Sequence, residues 1–391
     1  MDTQNTPVHM KLWHRGFWSL SIANMLLAIA VYMLLPIIPM QMQTEGNTPL
    51  GIGLSMGIFG IGIFAFGCFI SYWIQRYRRN HVCELAVIGV IGTIAVLYYL
   101  DAPDTMQLPL PIHVLVRFLQ GAFFGLAQII LFSTLINEMC ESSQRTEADY
   151  AASWFSRFAL SLGPVLALLV NHYIGFGMTL LIAGAMAIAA LVLIHLVKFP
   201  FRAPDDTMRR FSLDRFFLPQ GKWLFLNLVL MTVIVGLLLS AIGDVRFYGF
   251  LMLGFLFALV AERFAFINAE LKSETITGLI MIGAAVLLML TRDLPVVNYV
   301  APTFIGFGVG IIGSRFQMFF IKLADHCQRG TSQSTYFLAW ELGISIGLFV
   351  GYGVMESDIR MVLWTSLALV AFNLLLYNFF IHNWFVKHKN R

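Results

Sequence analysis

Gly175-Phe-Gly-Met-Thr-Leu-Leu-Ile-Ala-Gly-Ala-Met-Ala-Ile-Ala-Ala-Leu-Val-Leu-Ile-His195-Leu-Val197 contains no Asp, Glu, Lys or Arg. As a helix it is about 34 Å long, enough to cross a hydrocarbon layer of about 30 Å. Runs of the same kind recur at about 17–40, 51–74, 82–100, 111–136 and 150–171 before it. A second set lies at about 222–241, 245–266, 275–291, 299–323, 334–355 and 361–386. Together they predict twelve spans. Of 391 residues, 59% are hydrophobic and 12% charged, against roughly 25% charged in a soluble domain. Water cannot be the solvent for that surface, so lipid is. Strands are excluded by the same argument, because an open sheet edge cannot sit in hydrocarbon and no alternating pattern of barrel length occurs.

The polar punctuation sets the organisation. Its longest piece, Lys198-Phe-Pro-Phe-Arg202-Ala-Pro204-Asp-Asp-Thr-Met-Arg209-Arg210-Phe-Ser-Leu-Asp-Arg215, divides the chain into an N-terminal six-span bundle (1–197), a linker (198–221) and a C-terminal six-span bundle (222–391). With the N-terminus inside, cytoplasmic segments hold 19 of the 25 Lys and Arg. Outer loops hold Arg246, Arg292 and Arg360, and Arg117, Arg157 and Arg315 lie within spans. That bias predicts both termini cytoplasmic in a cell (inner) membrane. The first apolar run is too long for a signal-peptide core and has no small-residue cleavage site, which predicts a retained span. Cys68, Cys83, Cys140 and Cys327 show no metal-ligand spacing, and none falls in an outer loop, consistent with a reducing interior.

The halves are related by an internal repeat. Gln144-Arg145 recurs as Gln328-Arg329, and the same offset carries Ser161 onto Ser345 and Gly163 onto Gly347. One residue more carries the Gly121–Gly125 run onto Gly306–Gly310. Duplicated halves with a ligand site between them near the midplane are a common plan among secondary transporters.

Ionisable groups in hydrocarbon cost several kcal/mol each and need a reason. One carboxylate, Glu341, lies well within a span; Glu84, Glu138, Glu262 and Asp325 fall at cytoplasmic ends. The repeat carries Arg157 onto Glu341, so the sequence predicts facing charges at matched depth. Three readings stay open: a proton-coupling carboxyl beside a cation, a static or gating ion pair holding the halves in register, or no contact between the two. In span 4, Arg117, Gly121, Phe124 and Gln128 share one helical face, either toward a cavity or as a packing face with a satisfied Arg. Arg315, beside Gln317, either meets an anionic substrate, or snorkels or packs. Asn24, Tyr32, Gln120, Asn227 and Trp340 are further candidate cavity residues. Glycine faces in span 2 (Gly53, Gly57, Gly60, Gly67) and span 11 (Gly343, Gly347, Gly351) predict close backbone packing, or a sliding contact between halves. Pro36 and Pro39 predict a bend at the end of span 1.

Neither a nucleotide-binding GxxxxGK[ST] nor an HExxH is present. The chain therefore reads as no enzyme, with no cofactor, no metal, no nucleic-acid partner and no ATP engine of its own; an ion gradient must drive any pumping.

Several of these segments resemble the major facilitator superfamily, most of all its twelve-span drug–proton antiporters. Arg117-Phe-Leu-Gln120-Gly121 resembles that family's R-x-x-Q-G signature, and Gly163-Pro164 resembles the core of its antiporter motif. Gln75-Arg76-Tyr77-Arg78-Arg79 resembles the D-R-x-G-R-R loop, with Gln75 for the acid and no glycine before the paired arginines. The resemblance implies alternating access, substrate held between halves, a monomer, a proton-coupling role for Arg117, and gating roles for Arg76, Arg78, Arg79, Gly163 and Pro164. Many drug antiporters carry an acid in span 1; here Asn24 stands there, which shifts coupling to Glu341.

These readings combine into a proton-coupled secondary transporter exporting small amphipathic organic compounds. A competing reading counts three buried arginines against one buried glutamate and expects an organic anion. A receptor or scaffold without transport is the remaining class.

Overall fold

A computed structural model describes residues 11–100, 109–199, 209–266 and 269–390. The residues before Lys11 and the centre of the linker, including Arg202, lie outside the described residues. Twelve helices are long and apolar enough to cross a membrane, and no strand occurs among the described residues. They are α1 Arg15–Thr44, α2 Pro49–Arg76, α3 Arg79–Tyr99, α4 Leu110–Glu138, α5 Arg145–Tyr173 and α6 Phe176–Leu196, then α7 Pro219–Ala241, α8 Val245–Phe264, α9 Leu271–Thr291, α10 Val297–Leu323, α11 Arg329–Gly353 and α12 Ile359–His388. With an even number of crossings both termini emerge on one face, called here the terminal face; the other is the opposite face.

Packing repeats between the halves. In the first, α1 packs on α5 and α6, α2 on α4, and α3 on α4 and α6. In the second, α7 packs on α11 and α12, α8 on α10, and α9 on α10 and α12. The halves meet mainly through α2 with α11 and α5 with α8, pairs that exchange under a two-fold relation. The repeat seen in the sequence has structural counterparts. Gly121 lies where a Cβ would come within 2.1 Å of the Phe59 carbonyl oxygen of α2, and Gly306 where one would come within 2.2 Å of the Leu251 carbonyl oxygen of α8. Ser161 hydrogen-bonds the Tyr248 carbonyl across the α5–α8 seam, while Ser345 packs on Gly60 across the α11–α2 seam.

The two glycine faces do different work. Gly343, Gly347 and Gly351 of α11 press on Thr232, Val233, Gly236 and Ser240 of α7, inside one half. Gly53, Gly57 and Gly60 of α2 press on Gly353, Phe349 and Ser345 of α11, across the halves. Only the second set lies between the halves.

Two helices of the first half are irregular. Pro36 lacks the N–H that would bond the Tyr32 carbonyl, and α1 divides at Met33 into Arg15–Tyr32 and Leu34–Thr44. A π-turn interrupts α4 at Leu131–Leu135, a feature often found at functional positions. Large apolar side chains such as Leu85, Leu196, Phe264, Trp364 and Phe379 are exposed on the outside, as lipid-facing residues should be.

Candidate functional site

A small cavity of about 30 Å³ lies between α1, α4 and α5 of the first half and α11 of the second. Its wall is aromatic, formed by Tyr32, Phe124, Phe132, Tyr336, Phe337 and Trp340, with Arg157 and Glu341 as its two charged groups. Closures flank it along the bundle axis. Toward the opposite face, a Cβ on Gly53 would meet Gly353 at 2.7 Å. Toward the terminal face, a Cβ on Gly330 would meet the Ser133 carbonyl oxygen at 2.8 Å.

Glu341 sits twelve residues from each end of α11, at mid-depth. It is 2% exposed and accepts a hydrogen bond from the Tyr32 hydroxyl of α1. This bond joins the halves. The break at Met33 and the tight approach of Gly163 to Tyr32 and Met33, with Cβ distances of 3.0 Å, fix where Tyr32 points.

Arg157 also reaches across. It donates to Gln317 Oε1 at 3.4 Å and to the Tyr336 hydroxyl at 3.4 Å, and its guanidinium lies 4.6 Å over the Trp154 ring. Gly313 of α10 makes room, since a Cβ there would stand 2.7 Å from Arg157 Nε. The facing of Arg157 and Glu341 expected from the repeat is realised only as a shared cavity. No ion pair joins them, because Gln317, Tyr336 and Trp154 engage the guanidinium first. Arg157 Nε and Nη1 have no protein acceptor.

The other candidates separate by position. Gln128, Tyr32 and Trp340 line the cavity. Asn24 stands behind its wall, donating to the Ala152 carbonyl at 3.2 Å and to Ser156 Oγ, a wall atom, at 2.8 Å. Arg117 and Gln120 bond each other, and the Arg117 guanidinium lies 4.8 Å over Phe59 of α2. Seven residues from the start of α4, Arg117 is nearer the opposite face than the cavity. The stripe on α4 thus splits, its inner members Phe124 and Gln128 facing the cavity and its outer members packing on α2. Asn227 bonds Asn373 of α12 at 3.2 Å. Arg79 pairs with Glu138 at the end of α4, Arg76 lies 6.0 Å from the Tyr72 ring, and Arg78 lines a surface hollow beside Trp73 and Tyr77. Pro164 lies inside α5, next to Gly163.

Arg315 corrects the sequence reading twice. It pairs with Glu274 at 2.6 Å and lies 3.6 Å from Glu262, outside the cavity. Glu262 also accepts from Tyr150 and Ser314. Glu341 is therefore not the one carboxylate within the helices: Glu274 and Asp149 are each 1% exposed and Glu262 is 9% exposed. The count of three arginines against one glutamate fails with it. α9 begins at Leu271, a turn before the apolar run starts, and that turn carries Glu274 inside.

Sequence reasoning passed over Phe132, Ser153, Ser156, Tyr336 and Phe337. Ser153 stands one turn before Arg157 and Ser156 next to it, and Phe337 and Tyr336 stand four and five residues before Glu341. Helical neighbours of the two singled-out charges were the available signal.

Residues 20–348 match the family described as the Major Facilitator Superfamily. No curated protein matches in sequence. Among solved structures, the fold resembles the human organic anion transporter MFSD10 (TETRAN), at 15% identity and a TM-score of 0.69, covering 93% of this chain and 98% of that one. The nucleoside transporter NupG, in a mutant form, is similar at 14% identity and a TM-score of 0.68, covering 93% and 99%. An outward-facing bacterial homologue of the iron transporter ferroportin is similar at 15% identity and a TM-score of 0.67, covering 97% and 100%.

Proposed function

As the chain belongs to the major facilitator superfamily, we propose that it is a proton-coupled secondary transporter exporting small amphipathic organic compounds. The Tyr32–Glu341 bond carries this reading. It places the cavity's single carboxyl on a hydrogen bond between the two halves, in a wall with six aromatic side chains. A proton or a cationic substrate arriving at Glu341 competes for that bond, so loading the site bears directly on the contact between halves. The aromatic wall offers apolar surface to a flat organic body, and transport needs no chemistry on the substrate. No coupling role is assigned to Arg117, which lies away from the cavity, beyond steadying α2 on α4.

In this reading 1–197 and 222–391 rock as bodies joined by 198–221, and the α2–α11 glycine contact and the α5–α8 seam open in turn. Arg79, through Glu138, and Gly163 with Pro164, through α1, set where those movements bend. The terminal face, which carries most Lys and Arg, is placed in the cytoplasm, with the bundle in the inner membrane as a monomer.

The test uses inverted membrane vesicles with an imposed pH gradient and a cationic fluorescent dye. The parent accumulates dye while the gradient lasts, whereas Glu341→Gln only equilibrates it. Undiminished gradient dependence in Glu341→Gln would overturn the proposal.

One observation favours a second reading. Arg157 Nε and Nη1 are buried in the cavity wall without a protein acceptor, an arrangement suited to a carboxylate or phosphate on the substrate. Anionic dyes outcompeting cationic ones, with the preference lost in Arg157→Gln, would select it.

A further inference from the structure

The Gln-Arg repeat has a consequence at the terminal face. Arg145 opens α5 and Arg329 opens α11, one from each half. Both line a second pocket, polar and of about 210 Å³, at the terminal mouth between the halves. Ser133, Thr134 and Arg215 line it too. It is continuous in sequence with the central cavity, since Phe132 lines one and Ser133 the other.

Arg215 is held there against its backbone preference. Its φ is 58°, a left-handed conformation that costs a non-glycine residue about 1 kcal/mol or more. Three contacts with α11 and α4 impose it. The Arg215 N–H donates to Thr331 Oγ1 at 2.8 Å, its carbonyl accepts from Ser334 Oγ at 2.8 Å, and its Nη1 donates to Thr134 Oγ1 at 2.9 Å. The linker thus delivers a third guanidinium to a mouth that already has two.

The counter-charge is short. Glu138, in the wall, is engaged by Arg79. Asp149, 1% exposed and lying behind the pocket, is the carboxylate near both Arg145 and Arg329. Set against Asp149, Arg145 and Arg329 leave one positive charge in surplus. Arg145 Nε is buried without a protein acceptor. The N-termini of two long helices, α5 and α11, add the positive ends of their dipoles. Closing the halves drives these like charges together, which is unfavourable unless an anion comes between them.

We propose that this mouth is an oxyanion site, taking a phosphate-class group that bridges Arg145 and Arg329 and holds the terminal face closed. The guanidinium forks, with the Ser133 and Thr134 hydroxyls, match the several acceptors of a tetrahedral oxyanion. The site is separate from the central cavity and stands whether or not transport is proton-coupled.

The full-length protein, purified in detergent, is heated with sodium phosphate and with chloride at equal ionic strength. Phosphate raises the melting midpoint by about 3 °C over chloride in the parent, and Arg145→Gln/Arg329→Gln loses that shift. Arg145→Lys/Arg329→Lys keeps the charges and Asp149's counter-ions, folds, and retains part of it. Alkylation of Cys327, an exposed thiol in the pocket wall, gives a second readout by peptide mass spectrometry. Phosphate slows it several-fold in the parent and not in the glutamine variant. In vesicles of phosphatidylcholine alone, protection that needs added phosphate assigns the site to a soluble anion. Protection without phosphate once phosphatidylglycerol is included assigns it to a lipid headgroup. A phosphate shift no larger than chloride's, with no protection by either source, overturns the proposal, as does a full shift in the glutamine variant.

Discussion

Buried charge is handled in two ways within a few turns of α10 and α11. Around Arg315, carboxylates from α8 and α9 approach one guanidinium, at 3.6 Å for Glu262 and 2.6 Å for Glu274, and hydroxyls of Ser314 and Tyr150 complete Glu262. In the central cavity, Glu341 has one hydroxyl from the other half, and Arg157 has two weak acceptors and an aromatic ring. The first cluster is held by ion pairs, and moving it breaks them in a poorly polarisable interior. The second can exchange its partners at little loss. Compensated charge holds the bundle together; uncompensated charge is available to a substrate or proton.

Substitutions ranked by their effect on stability sharpen this contrast. Arg315→Gln strands Glu262 and Glu274 and is expected to destabilise the fold by about 3–5 kcal/mol. The measurement is a thermal melt of purified protein, and a shift below a few degrees would erase the distinction between the two clusters. Gly60→Val adds a branched side chain where even a Cβ would sit 2.5 Å from Ser345 Cβ. It should cost about 1–3 kcal/mol in the closed form, and cysteine cross-linking between α2 and α11 should drop as that seam is pushed open. Asn227→Leu removes one hydrogen bond inside a half and should cost only about 0.6 kcal/mol, with flux per molecule unchanged in vesicles. Glu341→Gln should leave the melting midpoint within about a degree of the parent, because an amide still accepts from Tyr32, while accumulation against a gradient is lost.

Spans and their number were readable because the lipid requirement acts on whole segments of about twenty residues, and an error of one turn does not change the count. Segment ends were not readable to that accuracy, and Glu274 shows the consequence: a single turn moves it from loop to interior, and with it goes the isolation of Arg315. Depth was readable for Glu341 and Arg157 from the repeat. Partner choice was not, since the Tyr32–Glu341 bond depends on the break at Met33 and on the approach of Gly163. Equally, one helical face on α4 gave Arg117 and Gln128 the same direction, but a direction does not say which neighbour waits at each height. The cavity meets Gln128, and α2 meets Arg117.

The most direct test of Glu341 as the site where substrate and proton compete is proton release on binding. In lightly buffered detergent solution, with the protein loaded with protons, adding a saturating cationic dye should release about one proton per bound molecule from the parent. Glu341→Gln should release none. Equal release from both would contradict the account and place the exchanging proton elsewhere in the bundle.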